Sequence, residues 1–384
     1  MAFCANANDW YRWRGPEANG ISMETGWSAN WPDSGPKQLW KAEVGTGFAS
    51  FAVSQGRVFT MGNTNDTDTV FCFDAASGKV IWHYSYPSKL DPNMYEGGPS
   101  ATPTVDGDRV YTVSKQGMVH CLEVATGKVV WSKNVAEEVK AKAPRWGFSG
   151  SAFVEGDLCI LNIGSSGTAV DKHTGKVVWS SEPDEAGYAT AVPFANGDEP
   201  AVVLVVKREV VALRVKDGKE IWQYPWKTTP DINAADTVVQ DKRIFVSSGY
   251  NHGAAVFDVT EGSPKTVWQN RNMRNQFNSS VLWEGYLYGF DDNKLRCIAF
   301  DTGEVKWTEP SPGKGSLMLA DGKLIVLGER GELMVAPASP DGFKPISRTQ
   351  VLNGKCWTTP VLSNGRIYCR NAAGNIVCLD VGAD

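Results

Sequence analysis

The segment VHCLEVATGKVVW, residues 119–131, decides the fold because its pattern recurs along the chain. Each copy has a glycine four residues before its final tryptophan, and the further copies end at Trp82, Trp179, Trp222 and Trp307. Trp40 and Trp268 extend the series with weaker surroundings. Successive tryptophans of the series are 39 to 49 residues apart. This period is typical of the blades of a β-propeller.

Each repeat contains four short runs of β-branched and aromatic residues separated by turn signals, which predicts four antiparallel strands. The C-terminal segment 357–382 supplies only three such runs, whereas the run at 38–44 has no three runs before it. We expect the strand around Trp40 to be the outer strand of the last blade, because this closure leaves no free edge. The sequence predicts an all-β fold, an eight-bladed β-propeller over residues 38–382. Residues 1–37 are expected to form an N-terminal segment that packs on it.

Composition excludes several classes of protein. Hydrophobic residues make up 42% of the 384 residues and charged residues 21%, so the chain can build a large core. The formal net charge of −5 provides no basic field for nucleic acid. No apolar run approaches the roughly 18 residues needed to span a bilayer. We expect a monomer with no nucleic-acid partner and no transmembrane segment.

The tryptophan-ending repeat resembles the pyrroloquinoline-quinone (PQQ) type propeller repeat over nearly the whole chain, from Gln38 to Gly382. The opening WYRWRGPEANGIS (10–22) and the stretches INAADTVV (232–239) and GKCWTTPVL (354–362) resemble bacterial secreted PQQ-binding-like propellers. The resemblance to quinoprotein dehydrogenases implies PQQ over the axis, a tryptophan beneath it, calcium, an aspartate base and a disulfide between adjacent cysteines. Adjacent cysteines are absent from this sequence, which disfavours that chemistry.

The resemblance also suggests which residues would serve PQQ. Trp146 or Trp357 could form the tryptophan floor, and Asp236 with Asn233 could act as calcium ligands. The repeat is similar, in addition, to a propeller lipoprotein of the outer-membrane protein assembly machinery. That resemblance implies a role in protein contacts and would require Cys4 to be lipidated.

Cysteine spacing and the N-terminus bear on location. No Cys-x-x-Cys motif occurs, so structural zinc and covalent haem are not predicted. Cys369 and Cys378 could face each other across a hairpin, but such cross-strand disulfides are strained. The start AFCANANDW (2–10) resembles the end of a cleaved export signal, with small residues at Ala5 and Ala7. We expect a periplasmic or secreted protein.

Catalytic signatures are missing from the sequence. The four histidines lack metal-ligand spacing, and no Gly-x-Ser-x-Gly motif is present, so neither a metal site nor a serine nucleophile is predicted. The repeated tryptophans and glycines are interpreted as packing and turn residues.

Propeller geometry points to a candidate site on the axis. Loops that lead into first strands, and loops that join second to third strands, emerge on the same face and converge on a funnel. Two of the entering loops, 83–98 and 133–147, are long, and long connections on a rigid scaffold are where sites are usually built. The residues predicted to bind a ligand there are Glu96, Arg145, Trp146, Tyr188, Asn233, Asp236, Asn278, Lys314, Trp357 and Arg370.

Aromatic rings mixed with acidic, basic and amide groups favour a polar, planar or sugar-like ligand. The principal hypothesis is a non-catalytic extracytoplasmic propeller that binds a small polar ligand, a glycan or an envelope protein. The alternatives are a PQQ-dependent dehydrogenase with calcium and a carbohydrate-active lyase or hydrolase that uses the funnel.

Overall fold

Eight β-sheets form the blades of a closed ring in the computed structural model, which describes residues 8–32 and 34–382. Each sheet contains four antiparallel strands, and one sheet carries an additional short parallel strand. The first strands of several neighbouring blades contact one another, which places these strands around the axis. The predicted eight-bladed all-β propeller is confirmed.

The strands of blades 1 to 4 follow chain order from the axis outward. Blade 1 consists of β3–β6, Ala52–Ser54, Arg57–Thr64, Thr67–Asp74 and Val80–Pro87. Blade 2 consists of β7–β10, Thr104–Asp106, Arg109–Val113, Met118–Glu123 and Val129–Asn134, and is followed by the short helix α1, Val135–Glu138. Blade 3 consists of β11–β14, Phe153–Glu155, Leu158–Leu161, Thr168–Asp171 and Val177–Ser180. Blade 4 consists of β15–β18, Val192–Asn196, Glu199–Val205, Glu209–Arg214 and Glu220–Pro225.

Blades 5 to 8 complete the ring. Blade 5 consists of β19–β22, Val238–Gln240, Arg243–Ser248, Gly253–Asp258 and Lys265–Asn270. Blade 6 consists of β23–β26, Val281–Trp283, Tyr286–Asp291, Lys294–Ala299 and Val305–Glu309. Blade 7 consists of β27–β30, Ser316–Ala320, Lys323–Leu327, Glu332–Pro337 and Ser347–Gln350, with β1, Ile21–Ser22, beside β27. Blade 8 consists of β31–β33, Val361–Ser363, Arg366–Arg370 and Asn375–Asp380, with β2, Gln38–Glu43, as its outer strand.

Ring closure joins the two ends of the chain. β2 pairs antiparallel with β33, with Trp40 opposite Cys378. The N–H of Asp380 also donates to the carbonyl of Lys37 at 2.8 Å. Blades 1 to 4 and blade 6 make the same bond within the turn between their third and fourth strands, as from Asp74 to Lys79. The predicted closure by the N-terminal strand is therefore correct.

Each repeat tryptophan joins its blade to the next one. The Nε1 of Trp82 in blade 1 donates to the carbonyl of Val124 in blade 2 at 2.8 Å. The same tryptophan lies against Gly127, where an added Cβ would come within 2.5 Å of the indole ring. Trp40, Trp131, Trp179 and Trp268 dock in the same way. The turn glycine of one repeat is therefore the seat for the tryptophan of the preceding blade.

Three joints depart from this rule. Trp307 of blade 6 donates to the Ser339 carbonyl of blade 7 at 2.8 Å, but its ring lies against Phe343 and not against a seat glycine. The indole N–H of Trp222 has no hydrogen-bond partner within the described ranges, and blade 5 has Pro264 where other turns have the seat glycine.

The outer strand of blade 7 has no tryptophan. At that joint the N-terminal segment contributes Trp31, whose backbone N–H donates to Ser347 Oγ at 3.0 Å. The segment thus reinforces the joint at which the outer strand lacks a tryptophan.

The cysteines of the described chain are free and buried, and Cys4 lies outside the described residues. Cys369 pairs in register with Val377, whereas Cys378 faces Tyr368. The two cysteines therefore do not face each other across the hairpin, and that alternative is wrong.

The tryptophan seat can be tested with two glycines of matched backbone. Gly127 has φ +71° and the indole of Trp82 above it, whereas Gly156 has φ +57° and no atom within 4 Å of an added Cβ. Both alanine substitutions incur backbone strain, but only Gly127→Ala displaces an indole. We expect Gly127→Ala to cost about 1–3 kcal/mol more than Gly156→Ala in urea unfolding. Equal losses would show that the seat contributes no stability.

Candidate functional site

A cavity of about 270 Å³ lies on the axis, at the end of the ring where the loops enter the first strands. Its aromatic wall comes almost entirely from those entering loops, one or more from most of the blade junctions. The aromatic lining residues are Trp13, Phe48, Tyr95, Trp146, Tyr188, Phe277 and Trp357. Because each loop begins and ends on a packed blade, the rings are presented by a rigid frame.

The rings form two groups. Trp146 and Tyr188 have ring centroids 6.0 Å apart. Trp357 lies 4.7 Å from Phe277 and 5.9 Å from Phe48, measured between centroids. Flat apolar faces of this kind stack against the faces of sugar or aromatic rings.

The two longest entering loops support each other. The indole Nε1 of Trp146 donates to the carbonyl of Asn93 at 3.0 Å, which fixes the ring. Met94, the next residue, lines the cavity and is 82% exposed. The loop that contains Asn93 therefore forms one side of the cavity mouth.

Uncharged polar groups also line the cavity. The hydroxyl-bearing lining residues are Ser100, Ser149, Ser151, Thr190, Thr358 and Thr359, and the amides are Asn93, Gln276 and Asn278. The hydroxyl oxygens of Ser151 and Thr190 accept backbone N–H groups at 2.9 Å. Neither hydroxyl donates to another group in the described part of the chain, so both hydrogens are available to a ligand.

Asp236 is the only carboxylate among the described lining residues. Its Oδ1 accepts from the Thr190 N–H at 2.7 Å, and its Oδ2 accepts from Trp13 Nε1 at 2.6 Å. The guanidinium of Arg14 lies 3.9 Å away, and both side chains are nearly inaccessible. Burial raises the pKa of Asp236, while Arg14 and the two N–H donors oppose that rise. Both carboxylate oxygens are thus already engaged by the protein.

Two lysines at the cavity mouth are paired with acidic side chains, and an arginine lies over an aromatic ring. Lys355 Nζ lies 2.7 Å from Glu96 and 4.2 Å from the centre of the Trp357 ring. Lys314 pairs with Asp292 at 3.1 Å. Arg145 is exposed, and its guanidinium lies 5.2 Å from the centre of the Trp146 ring. Glu96, Arg145 and Lys314 therefore surround the mouth without lining the cavity.

Five of the ten predicted site residues line the cavity: Trp146, Tyr188, Asp236, Asn278 and Trp357. Asn233 does not, because its amide donates to the Lys207 carbonyl and accepts from Ser248 Oγ. Arg370 is fully buried at the junction of blades 8 and 1, where it donates to the carbonyls of Ala49 and Met61. The placement of Asn233 and Arg370 on the funnel wall is therefore wrong, since both satisfy backbone acceptors behind it.

Four aromatic residues that line the cavity were not predicted from the sequence: Trp13, Phe48, Tyr95 and Phe277. Trp13 lies in the N-terminal stretch WYRW, which attracted notice only for its resemblance to other proteins. The lining hydroxyls Ser151 and Thr190 each stand two residues before a first strand. An alignment of the repeats on the first strand would have revealed these positions.

A family model described as outer membrane protein assembly factor BamB matches residues 24–98 and 90–309. The chain belongs to this family. The match confirms the predicted PQQ-like repeat. No curated protein matches the sequence closely enough to count as a relative.

Solved structures share the fold. BamB from Moraxella catarrhalis is 16% identical, with TM-score 0.65, and the match covers 90% of this chain and 97% of that one. Quinohemoprotein alcohol dehydrogenase from Comamonas testosteroni is 13% identical, with TM-score 0.72, and the match covers 98% of this chain and 81% of that one. A europium-containing methanol dehydrogenase is 12% identical, with TM-score 0.68, covering 94% and 89%. At these identities the similarity is one of fold.

The cavity does not fit PQQ with calcium. PQQ carries three carboxylates, yet no lysine or arginine belongs to the lining in the described part of the chain. Carboxylates brought into such a cavity would be desolvated without a countercharge. Asp236 has no free oxygen for a metal ion, and no group of three His, Cys, Asp or Glu side chains within 8–32 and 34–382 is arranged to hold one. The lining is suited instead to an uncharged ligand.

Trp146 and Trp131 should behave oppositely on truncation. Trp131 is a buried joint tryptophan seated on Gly175, whereas Trp146 lines the open cavity. We expect Trp131→Ala to cost about 3–5 kcal/mol of unfolding free energy, and Trp146→Ala much less. Thermal and urea unfolding of both variants provide the comparison. A loss for Trp146→Ala as large as that for Trp131→Ala would assign this residue to core packing.

Proposed function

We propose that the protein is a non-catalytic binding propeller whose axial cavity holds an uncharged ligand with flat apolar faces and hydroxyl groups, such as the rings of a neutral glycan. The observation that carries the proposal is the composition of the lining. The lining combines aromatic rings with hydroxyls and amides, and both oxygens of the single lining carboxylate among the described residues already accept hydrogen bonds from the protein. Stacking faces and unpaired hydroxyl donors match the two kinds of surface that a sugar ring offers.

The protonation states of the ionisable side chains that line the cavity favour a binding role over a catalytic one. Burial raises the pKa of Tyr95 and of Tyr188 to about 12. Both phenols therefore stay protonated at neutral pH and are poor general bases. Asp236 is held by Trp13, Thr190 and Arg14, which leaves it unable to accept a proton from a ligand without losing those contacts. These features disfavour the lyase and hydrolase alternatives.

A protein-interaction role is the second candidate. The family model is described as an assembly factor, and the outer strands of several blades expose apolar side chains next to the joint tryptophans. The exposed residues are Val80, Ile81, Val130, Val178 and Val267. We keep a periplasmic or secreted location as part of the proposal because of this family membership. No helix in the described part of the chain is long and apolar enough to cross a membrane.

Binding can be measured by titration calorimetry with cellotetraose, maltotetraose and chitotetraose. We expect at least one of them to bind, and Trp146→Ala and Trp357→Ala each to weaken its affinity about tenfold, or about 1.4 kcal/mol. Trp283→Ala is the control, because Trp283 ends the first strand of blade 6 and does not line the cavity. If affinity were unchanged in both cavity variants, or if no neutral oligosaccharide bound, the proposal would be rejected.

PQQ provides a complementary test. With PQQ and calcium we expect no saturable binding and no dye-linked oxidation of alcohols or aldoses, because the lining offers no cation for the quinone carboxylates. Equilibrium dialysis and a dye-reduction assay give the two readouts. Saturable turnover that disappeared in Trp357→Ala would replace the binding proposal by the dehydrogenase alternative.

A further inference from the structure

A belt of backbone-to-side-chain hydrogen bonds runs around the axis from blade 1 to blade 6, just below the entering loops. Six residues form it, one from each of blades 1 to 6, and each stands two residues before the first strand of its blade: Ser50, Thr102, Ser151, Thr190, Asp236 and Ser279. In every step the backbone N–H of one member donates to the side chain of the next, at distances of 2.7 to 3.0 Å. Five of the six are hydroxyl residues, and Asp236 is the exception.

At blade 5 a hydroxyl side chain could accept the backbone N–H of the preceding belt residue, as hydroxyls do at the other belt positions. Asp236 Oδ1 accepts from the Thr190 N–H, which is the same task that Thr190 Oγ1 performs for Ser151. The carboxylate differs in having a second oxygen and a negative charge. The second oxygen accepts from Trp13 Nε1 at 2.6 Å, and the charge faces Arg14. The hydrogen bond within the belt therefore does not require a carboxylate at position 236. The contacts of Asp236 with Trp13 and Arg14 in the N-terminal segment do require one.

The N-terminal segment crosses the end of the ring opposite the cavity mouth. Trp10 exchanges two backbone hydrogen bonds of 2.8 Å with Val53 in the first strand of blade 1. Glu24 accepts from the N–H of Asn364 at 2.7 Å and from that of Gly365, in the turn between β31 and β32. Turns of this kind lie at the far end from the entering loops. Trp13 reaches the cavity from this side and so forms its floor.

We propose that Asp236 is a positioning residue of the axial site: it breaks the near-symmetry of the belt at blade 5 and holds Trp13 as the aromatic floor. Eight similar blades offer the segment eight similar rotational settings. A single buried carboxylate selects one setting by charge with Arg14 and by a hydrogen bond with Trp13. The segment then completes the site instead of only covering the ring. The role of the floor in binding rests on the proposed function, whereas the seating of the segment does not.

Hydrogen exchange followed by mass spectrometry tests the seating directly. Replacing Asp236 alone would leave the buried Arg14 without its countercharge, so the variant is the double substitution Arg14→Met with Asp236→Ser, which restores a hydroxyl at the belt position. We expect amide exchange over residues 8–20 to become at least tenfold faster, with the outer strands of blades 1 to 6 unchanged. Thr102→Val is the matched control, since it removes a belt acceptor in blade 2 that does not contact Trp13 or Arg14.

Trp13→Phe is the second variant, and it provides a test of the seating that does not depend on whether the double variant folds. It keeps an aromatic ring and the Arg14–Asp236 pair but removes the N–H donor. It should raise exchange over residues 8–20 in the same direction. Unchanged exchange in both variants, or an equal increase in Thr102→Val, would overturn the positioning role.

Affinity for the oligosaccharide that binds best separates the two proposals. We expect both variants to bind it at least tenfold more weakly, while Thr102→Val binds like the wild type. Faster exchange with unchanged affinity would overturn the assignment of Trp13 as the floor of the site. If no oligosaccharide binds the wild-type protein, the proposed function fails, and the exchange result still decides whether Asp236 seats the segment.

Discussion

The contact between an indole ring and the turn glycine of the next blade is the constraint on which the structure depends. Trp82 on Gly127 shows its two parts, a hydrogen bond from the indole N–H to a backbone carbonyl and a close approach that only glycine permits. Because the contact recurs around the ring, each blade fixes the orientation of its neighbour. The axial cavity inherits its geometry from these joints, since its walls are loops suspended between them.

The cavity differs from its scaffold in symmetry. The joints and the belt of hydroxyls repeat from blade to blade, whereas the rings that line the cavity come from loops of unequal length. Asp236 is the point at which the repeat itself changes, and the N-terminal segment is bound where it changes. The cavity in this near-symmetric ring is therefore asymmetric. Trp13 forms its floor, unequal loops form its walls, and Lys314 and Lys355 at its mouth are paired with acidic side chains.

Repeat periodicity made the ring predictable from the sequence. The tryptophan spacing gave the blade count, and the surplus strand around Trp40 gave the closure, because both follow from local patterns. Site residues were half predictable: Trp146 and Trp357, on entering loops, line the cavity, whereas Arg370, at the end of β32, turns into the joint between blades 8 and 1. Trp13 was missed because its place depends on a contact with Asp236, more than two hundred residues away in sequence. The sequence around Trp13 and the sequence around Asp236 contain no local pattern that predicts this contact.

A crystal structure of the protein with a bound neutral oligosaccharide tests the account most directly. The account predicts electron density for a sugar ring within the cavity, in contact with Trp146 or Trp357 and above Trp13. It also predicts that Trp13 remains bonded to Asp236 in that complex. Density for the oligosaccharide on the outer strands, or a cavity left without it while the sugar binds in solution, would contradict the assignment of the axial cavity as the binding site.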